Sequence, residues 1–153
     1  MRPYLTSTAL SATAATLGSL GTRPHSDWYE SLDKPEWQPP SVAFPLVWTP
    51  LYGAIAWGTG RAMARTRDVD DERRMLALTA ANLTANAGWN WAFFVKQSPA
   101  AGLGVIGVLN VLNVALVRET ARHDKKAAAA LLPYAAWTGF ATALNVALWR
   151  RNR

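Results

Sequence analysis

A chain of 153 residues without cysteine is of single-domain size, and it can hold neither a disulfide framework nor a thiolate nucleophile. Its formal charge of +6 invites a nucleic-acid reading, but the basic residues flank apolar stretches and build no continuous basic and aromatic surface, which excludes that class. His25 and His123 stand isolated in expected loops and give no metal-ligand pattern, so no metal is expected.

The placement of charge organises the rest. Residues 3–22, 37–60, 75–95, 97–117 and 127–149 contain no Asp, Glu, Lys or Arg. A bilayer core about 30 Å thick takes about 20 apolar residues of helix. These intervals therefore predict an all-α membrane bundle of five transmembrane helices, at about 4–22, 42–62, 75–95, 99–118 and 127–149, in a single domain over 1–153. Five water-exposed helices would each carry the charged face that these intervals lack. The N-terminus, 61–74 and 118–126 hold more Lys and Arg than the opposite side, which places them in the cytoplasm of a multi-pass protein.

The first interval follows Arg2 and shares small residues such as Ala12 and Ala14 with a secretory leader. Its length and its polar Thr6, Ser7, Thr8, Ser11, Thr13 and Thr16 favour a retained helix. Ser7, Ser11, Ala14 and Gly18 recur at helical spacing and let another backbone approach closely. The same holds for Gly102, Gly104 and Gly107 in the fourth helix; packing inside the bundle is favoured, and a homodimer face is the alternative.

After the first helix, residues 23–42 form a long loop on the non-cytoplasmic side. From 27 to 52 the chain reads DWYESLDKPEWQPPSVAFPLVWTPLY, with three of the eight tryptophans and five of the nine prolines. Pro35, Pro39 and Pro40 restrict the backbone before the second helix begins. Farther on, the short segment from Lys96 to Pro99 makes the third and fourth helices antiparallel neighbours, and KKAAAA at 125–130 reads as the basic start of the fifth.

Trp28, Trp37 and Trp149 lie near span ends, where tryptophan commonly forms an interfacial belt. Trp48, Trp57, Trp89, Trp91 and Trp137 lie inside spans, where a belt does not explain them. Residues three or four apart share a helical face, which groups Trp48 with Tyr52, Asn86 with Trp89 and Phe93, and Trp137 with Ala141 and Asn145. An amide such as Asn86 needs partners in lipid and belongs inside the bundle. Aromatic walls with a few polar groups suit a pocket for a flat, largely apolar ligand; a purely structural aromatic core accounts for the same residues equally well.

WYESLDKPEWQPP at 28–40 fits the signature W-Y-x-x-L-x-K-P-x-W-x-P-P and runs on into VWTPLY at 47–52; NAGWNWAFF stands at 86–94 and PYAAWTGFATALNVALWRRN at 133–152. In these motifs the chain resembles the tryptophan-rich sensory protein and mitochondrial translocator protein family, also called the peripheral benzodiazepine receptor family (TspO/MBR). The resemblance covers nearly the whole chain. It implies a five-helix bundle in the cell membrane that binds protoporphyrin IX or related tetrapyrroles, with the proline-rich segment folded over the pocket mouth. It implies that Trp48 and Asn86 hydrogen-bond a ligand carbonyl or carboxylate, that Tyr52 and Trp89 are aromatic pocket residues, and that Trp137 and Ala141 form the wall on the fifth helix, with Phe93 and Phe94 as packing.

The chain departs from the family where Pro45-Leu46 precedes Val47-Trp48 and where Pro50 adds a proline inside the second helix. Val146 and Ala147 stand where the animal sterol motif needs a tyrosine, which argues against cholesterol. The function expected is tetrapyrrole sensing, transport or regulation, with no obligatory cofactor and with membrane lipid as surroundings. Light- and oxygen-dependent porphyrin degradation is the alternative; no catalytic residue is assigned, and Trp48 and Trp137 are the candidates. A ligand-free scaffold is the third reading.

Overall fold

Proline and capping side chains set where the helices begin. The computed structural model describes residues 1–153 and contains six α-helices and no strand. Helix α1 (Arg2–Gly21) has Pro3 in its first turn and stops at Thr22, which is extended. A missing N–H is harmless in that first turn, whose N–H groups have no partner within the helix. In the loop that follows, Ser26 caps the one-turn helix α2 (Asp27–Ser31) by accepting the Tyr29 N–H. Helix α3 (Ala43–Met63) continues through Pro50.

Helix α4 (Val69–Asn90) begins ahead of the expected residue 75. Asp68 accepts the Asp71 N–H at 2.8 Å, and Asp70, Asp71 and Glu72 complement the positive helix end. A charged first turn suits a helix start although it cannot lie in lipid. A π-helical turn follows at Trp91–Val95. Gln97 then adopts the left-handed region at φ 52°, and Ser98 caps α5 (Pro99–His123). Asp124 alone separates α5 from α6 (Lys125–Arg151) and caps the latter, accepting the Ala127 N–H at 2.7 Å.

The helix count is thus six, because a single turn forms in the loop; the other five have 20 to 27 residues. Two of these, α5 and α6, are long and apolar enough to cross a membrane by length and composition. The others are diluted, α1 by hydroxyl residues, α3 by prolines, tryptophans and glycines, and α4 by its charged start.

Helix α1 packs on α3 and α4, α3 on α6, α6 on α5, and α5 on α4, which closes a ring in the order α1, α3, α6, α5, α4. Ser7, Ser11, Ala14 and Gly18 are buried in this ring. Ser7 Oγ donates to the Ala56 carbonyl at 2.7 Å. A Cβ on Gly60 would stand 2.5 Å from Ser7 Oγ and 3.0 Å from Tyr4 Cα, so α1 and α3 touch through backbone. The small-residue stripe of α1 is used within the chain. Gly102 also faces inward, its Cβ position 2.7 Å from Asn145 Oδ1, whereas Gly104 and Gly107 have nothing within 4 Å.

At the end where α3 stops and α4 and α6 start, charges pair. Asp124 binds Arg61 at 3.1 Å and also Arg65. Glu119 meets Arg122 at 3.0 Å, Arg74 at 3.6 Å and His123 Nε2 at 3.3 Å. His123 is therefore neither isolated nor in a loop: four residues after Glu119, it closes the last turn of α5. Ligand-capable atoms of Asp71, Glu119 and His123 lie within 4.8 Å of one another, with the Arg74 and Arg122 guanidiniums balancing the carboxylates.

The Ala127 N–H, reinforced against burial by Arg61 and Arg65, holds the Asp124 carboxyl below its ordinary range. Burial pushes Glu119 up, but hydrogen bonds from Arg122 and His123 and the charges of Arg122 and Arg74 outweigh it and leave the net shift downward. A depressed folded-state pKa means that the unfolded chain binds more protons, so this stabilisation is complete above the unfolded values near 4 and is lost as pH falls through the folded values. The melting temperature of detergent-solubilised protein should hold from about pH 7 to about pH 5 and fall below about pH 4. Asp124→Asn should lower the plateau and shrink the acid drop; an unchanged drop would discharge Asp124 from this role.

Candidate functional site

Between the ring of helices and the 23–42 segment lies a cavity of about 580 Å³, within the usual range of ligand pockets, about 300 to 1,000 Å³. Trp48, Tyr52, Asn86, Trp89, Trp137 and Ala141 all line it, brought together from α3, α4 and α6. Trp48 and Tyr52, four apart on α3, have ring centroids 5.6 Å apart. Trp137 lies 6.0 Å from Phe44 and 5.2 Å from Phe140, and its buried indole N–H has no partner. Ala141, one turn on, is half-buried. Trp89 stacks on Phe93 at 5.0 Å and donates its indole N–H to Asn145 Oδ1 at 2.9 Å.

Asn86 is 3% exposed, and its amide is already engaged. It accepts from Tyr52 Oη at 2.8 Å and donates to Tyr134 Oη at 2.9 Å, which leaves one N–H of Nδ2 uncommitted. A protein-internal engagement of this kind follows from the cost of an unpaired amide in an apolar interior.

Trp57 and Trp91, although inside expected spans, lie outside the cavity. Trp57 is 43% exposed and 5.3 Å from the Arg61 guanidinium; Trp91 is 42% exposed and donates to the Leu17 carbonyl at 2.9 Å. Phe93 and Phe94, expected to serve packing, line the cavity as well. The π-helical turn explains why. The Lys96 N–H reaches the Trp91 carbonyl and the Ser98 N–H reaches the Phe93 carbonyl, a five-residue step that turns Phe94 inward beside Phe93. Ala15 and Gly18 of α1, Thr22 just beyond it and His25 of the loop line the cavity too. The spacing of small residues marked α1 as buried, and no pattern in it pointed to a pocket.

The 23–42 segment covers this end. Trp28 packs edge-on against Phe93 at 5.5 Å and Tyr29 lies 5.2 Å from Phe94. Burial pushes the Tyr29 phenol up, partly offset by the Gln38 amide, which donates to it at 2.8 Å. Lys34 Nζ donates to the Tyr29 carbonyl at 2.6 Å. Asp33 pairs twice through its backbone with Asn152, at 2.8 and 3.0 Å, so the segment is fastened to the end of α6.

The sequence pattern that defines the TspO/MBR family matches residues 7–150. The chain is 35% identical over 130 residues to the tryptophan-rich protein TspO of Chlorobaculum tepidum, covering 85% of this chain and 82% of that one. It is 34% identical over 149 residues to the tryptophan-rich sensory protein of Cereibacter sphaeroides, covering 97% and 90%. With the translocator protein of Bos taurus it shares 31% over 155 residues, covering 99% and 90%.

Proposed function

Because the chain belongs to the TspO/MBR family of membrane proteins, we propose that its five long helices cross the cell membrane and that its cavity binds protoporphyrin IX or a related tetrapyrrole for sensing, transport or regulation. The observation that carries this reading is the convergence of Trp48, Tyr52, Trp89 and Trp137 around one cavity of about 580 Å³. Flat aromatic walls match a flat macrocycle, and few polar groups interrupt them. Ala141 and Gly18 leave room where larger side chains would fill it. In lipid, the 23–42 segment acts as a lid held by Asn152.

Two pocket indoles support a second reading, in which light and oxygen degrade the bound porphyrin beside Trp48 and Trp137. The excited porphyrin passes its energy to oxygen, and an indole is the oxidisable group at hand.

Titrating the purified protein with protoporphyrin IX in the dark, then under light, tests both. Saturable dark binding at one porphyrin per chain supports the pocket; no binding sinks it. Several turnovers per chain to one defined product, lost in Trp48→Phe and Trp137→Phe while binding persists, supports catalysis. Less than one turnover, with the tryptophans themselves oxidised, leaves a binding protein.

A further inference from the structure

A hydrogen-bond chain leaves the pocket wall at Tyr52 and Asn86, runs through four helices and ends at Thr138, which also borders the cavity. Tyr52 Oη donates to Asn86 Oδ1 at 2.8 Å, Asn86 Nδ2 to Tyr134 Oη at 2.9 Å, and Tyr134 Oη to Asn82 Oδ1 at 2.8 Å. Asn82 Nδ2 donates to Asn113 Oδ1 at 2.7 Å, Asn113 Nδ2 to Thr138 Oγ1 at 2.7 Å, and Thr138 Oγ1 to the Ala135 carbonyl at 2.9 Å. Asn82, Asn113 and Tyr134 are buried and absent from the cavity wall.

Every side chain in this series both donates and accepts, so each link alone is compatible with either direction. The last acceptor is different, because a backbone carbonyl only accepts. Thr138 must spend its hydrogen on Ala135 and must therefore accept from Asn113. That fixes the Asn113 amide, then Asn82, then Tyr134, then Asn86, and finally Tyr52. One carbonyl on α6 thus orients an amide and a phenol in the pocket.

We propose that this chain sets the hydrogen-bonding roles that the pocket offers a ligand, with Tyr134, Asn82 and Asn113 as positioning residues. Tyr52 has spent its only hydrogen and offers the cavity a lone pair. Asn86 offers its remaining N–H, whereas the unpartnered N–H of Trp137 is buried away from the cavity. A ligand carbonyl or carboxylate is held by Asn86 and is turned away from Tyr52, where only a donor is welcome. This inference rests on the tetrapyrrole pocket for its ligand, and on the chain alone for its geometry.

Tyr134→Phe keeps the ring and cuts the chain outside the pocket. Protoporphyrin IX affinity should fall about fivefold, as for one lost hydrogen bond. In an Asn86→Ala background, where affinity is already reduced by about the same factor, Tyr134→Phe should cause no further loss. Thr138→Val should mimic Tyr134→Phe, and Thr138→Ser, which keeps the hydroxyl, should bind like the wild type. Losses that multiply in the double variant, or equal losses in the Val and Ser variants, overturn the proposal. Should the wild type bind no porphyrin, the tetrapyrrole reading fails while the chain is still tested without ligand. Side-chain amide signals of nitrogen-15-labelled Asn82, Asn86 and Asn113 should move in Thr138→Val and stay in place in Thr138→Ser; signals unmoved in Thr138→Val refute the relay.

Discussion

Phenylalanine at position 141 should remove most protoporphyrin IX binding while leaving the helices folded. Ala141 lines the cavity one turn beyond Trp137, and it is half-buried, so an added ring enters space that holds no protein atoms. In a filled core such an enlargement costs about 1 to 3 kcal/mol in stability; here the ligand loses the volume instead. Affinity should drop by roughly ten- to a hundredfold, or about 1.4 to 2.8 kcal/mol, with the melting temperature nearly unchanged. Dark titration and thermal unfolding of the same preparation measure the two quantities. Parallel losses in both would turn the cavity wall into ordinary core and favour a scaffold.

The reverse split should follow Gly60→Val. Its Cβ would stand 2.5 Å from Ser7 Oγ and 2.9 Å from Tyr4 Cδ1, and rotating those side chains leaves Tyr4 Cα, a backbone atom, at 3.0 Å. Helix α1 must move off α3, breaking the Ser7 bond to the Ala56 carbonyl. The expected destabilisation is about 3 kcal/mol, at the upper end for overpacking. Gly53 is the control, because nothing lies within 4 Å of a Cβ built there, and Gly53→Val lacks that clash. Equal unfolding midpoints for the two valine variants would show that α1 is not locked to α3 by this contact.

Helical spacing was enough to group Trp48 with Tyr52, Asn86 with Trp89, and Trp137 with Ala141, because a wheel reports which residues share a face. It does not report which helices are neighbours. That α1 supplies Ala15 and Gly18 to the cavity follows from the ring order, which is a property of the whole bundle. Phe94 escaped for a local reason: the five-residue step of the π-helical turn defeats a wheel drawn at 3.6 residues per turn. The engagement of Asn86 by Tyr134 was equally hidden, since 48 residues separate the two. Charge-free intervals located the long helices well but misjudged where α4 begins, because a capped, acidic first turn is still helix after it has left the apolar region.

The hydrogen-bond chain also bears on the order of synthesis. A nascent chain delivers α4, with Asn82 and Asn86, well before Tyr134 arrives on α6. Helix α5 brings Asn113, which can receive Asn82 at once, but Asn86 Nδ2, Asn82 Oδ1 and Asn113 Nδ2 wait for Tyr134 and Thr138, and α3 keeps the face that α6 will cover. Polar groups left without partners in an apolar interior are costly. Until the final helix packs into the ring, the partly made protein therefore carries polar groups without partners on its pocket side, and the last segment synthesised is the one that satisfies them.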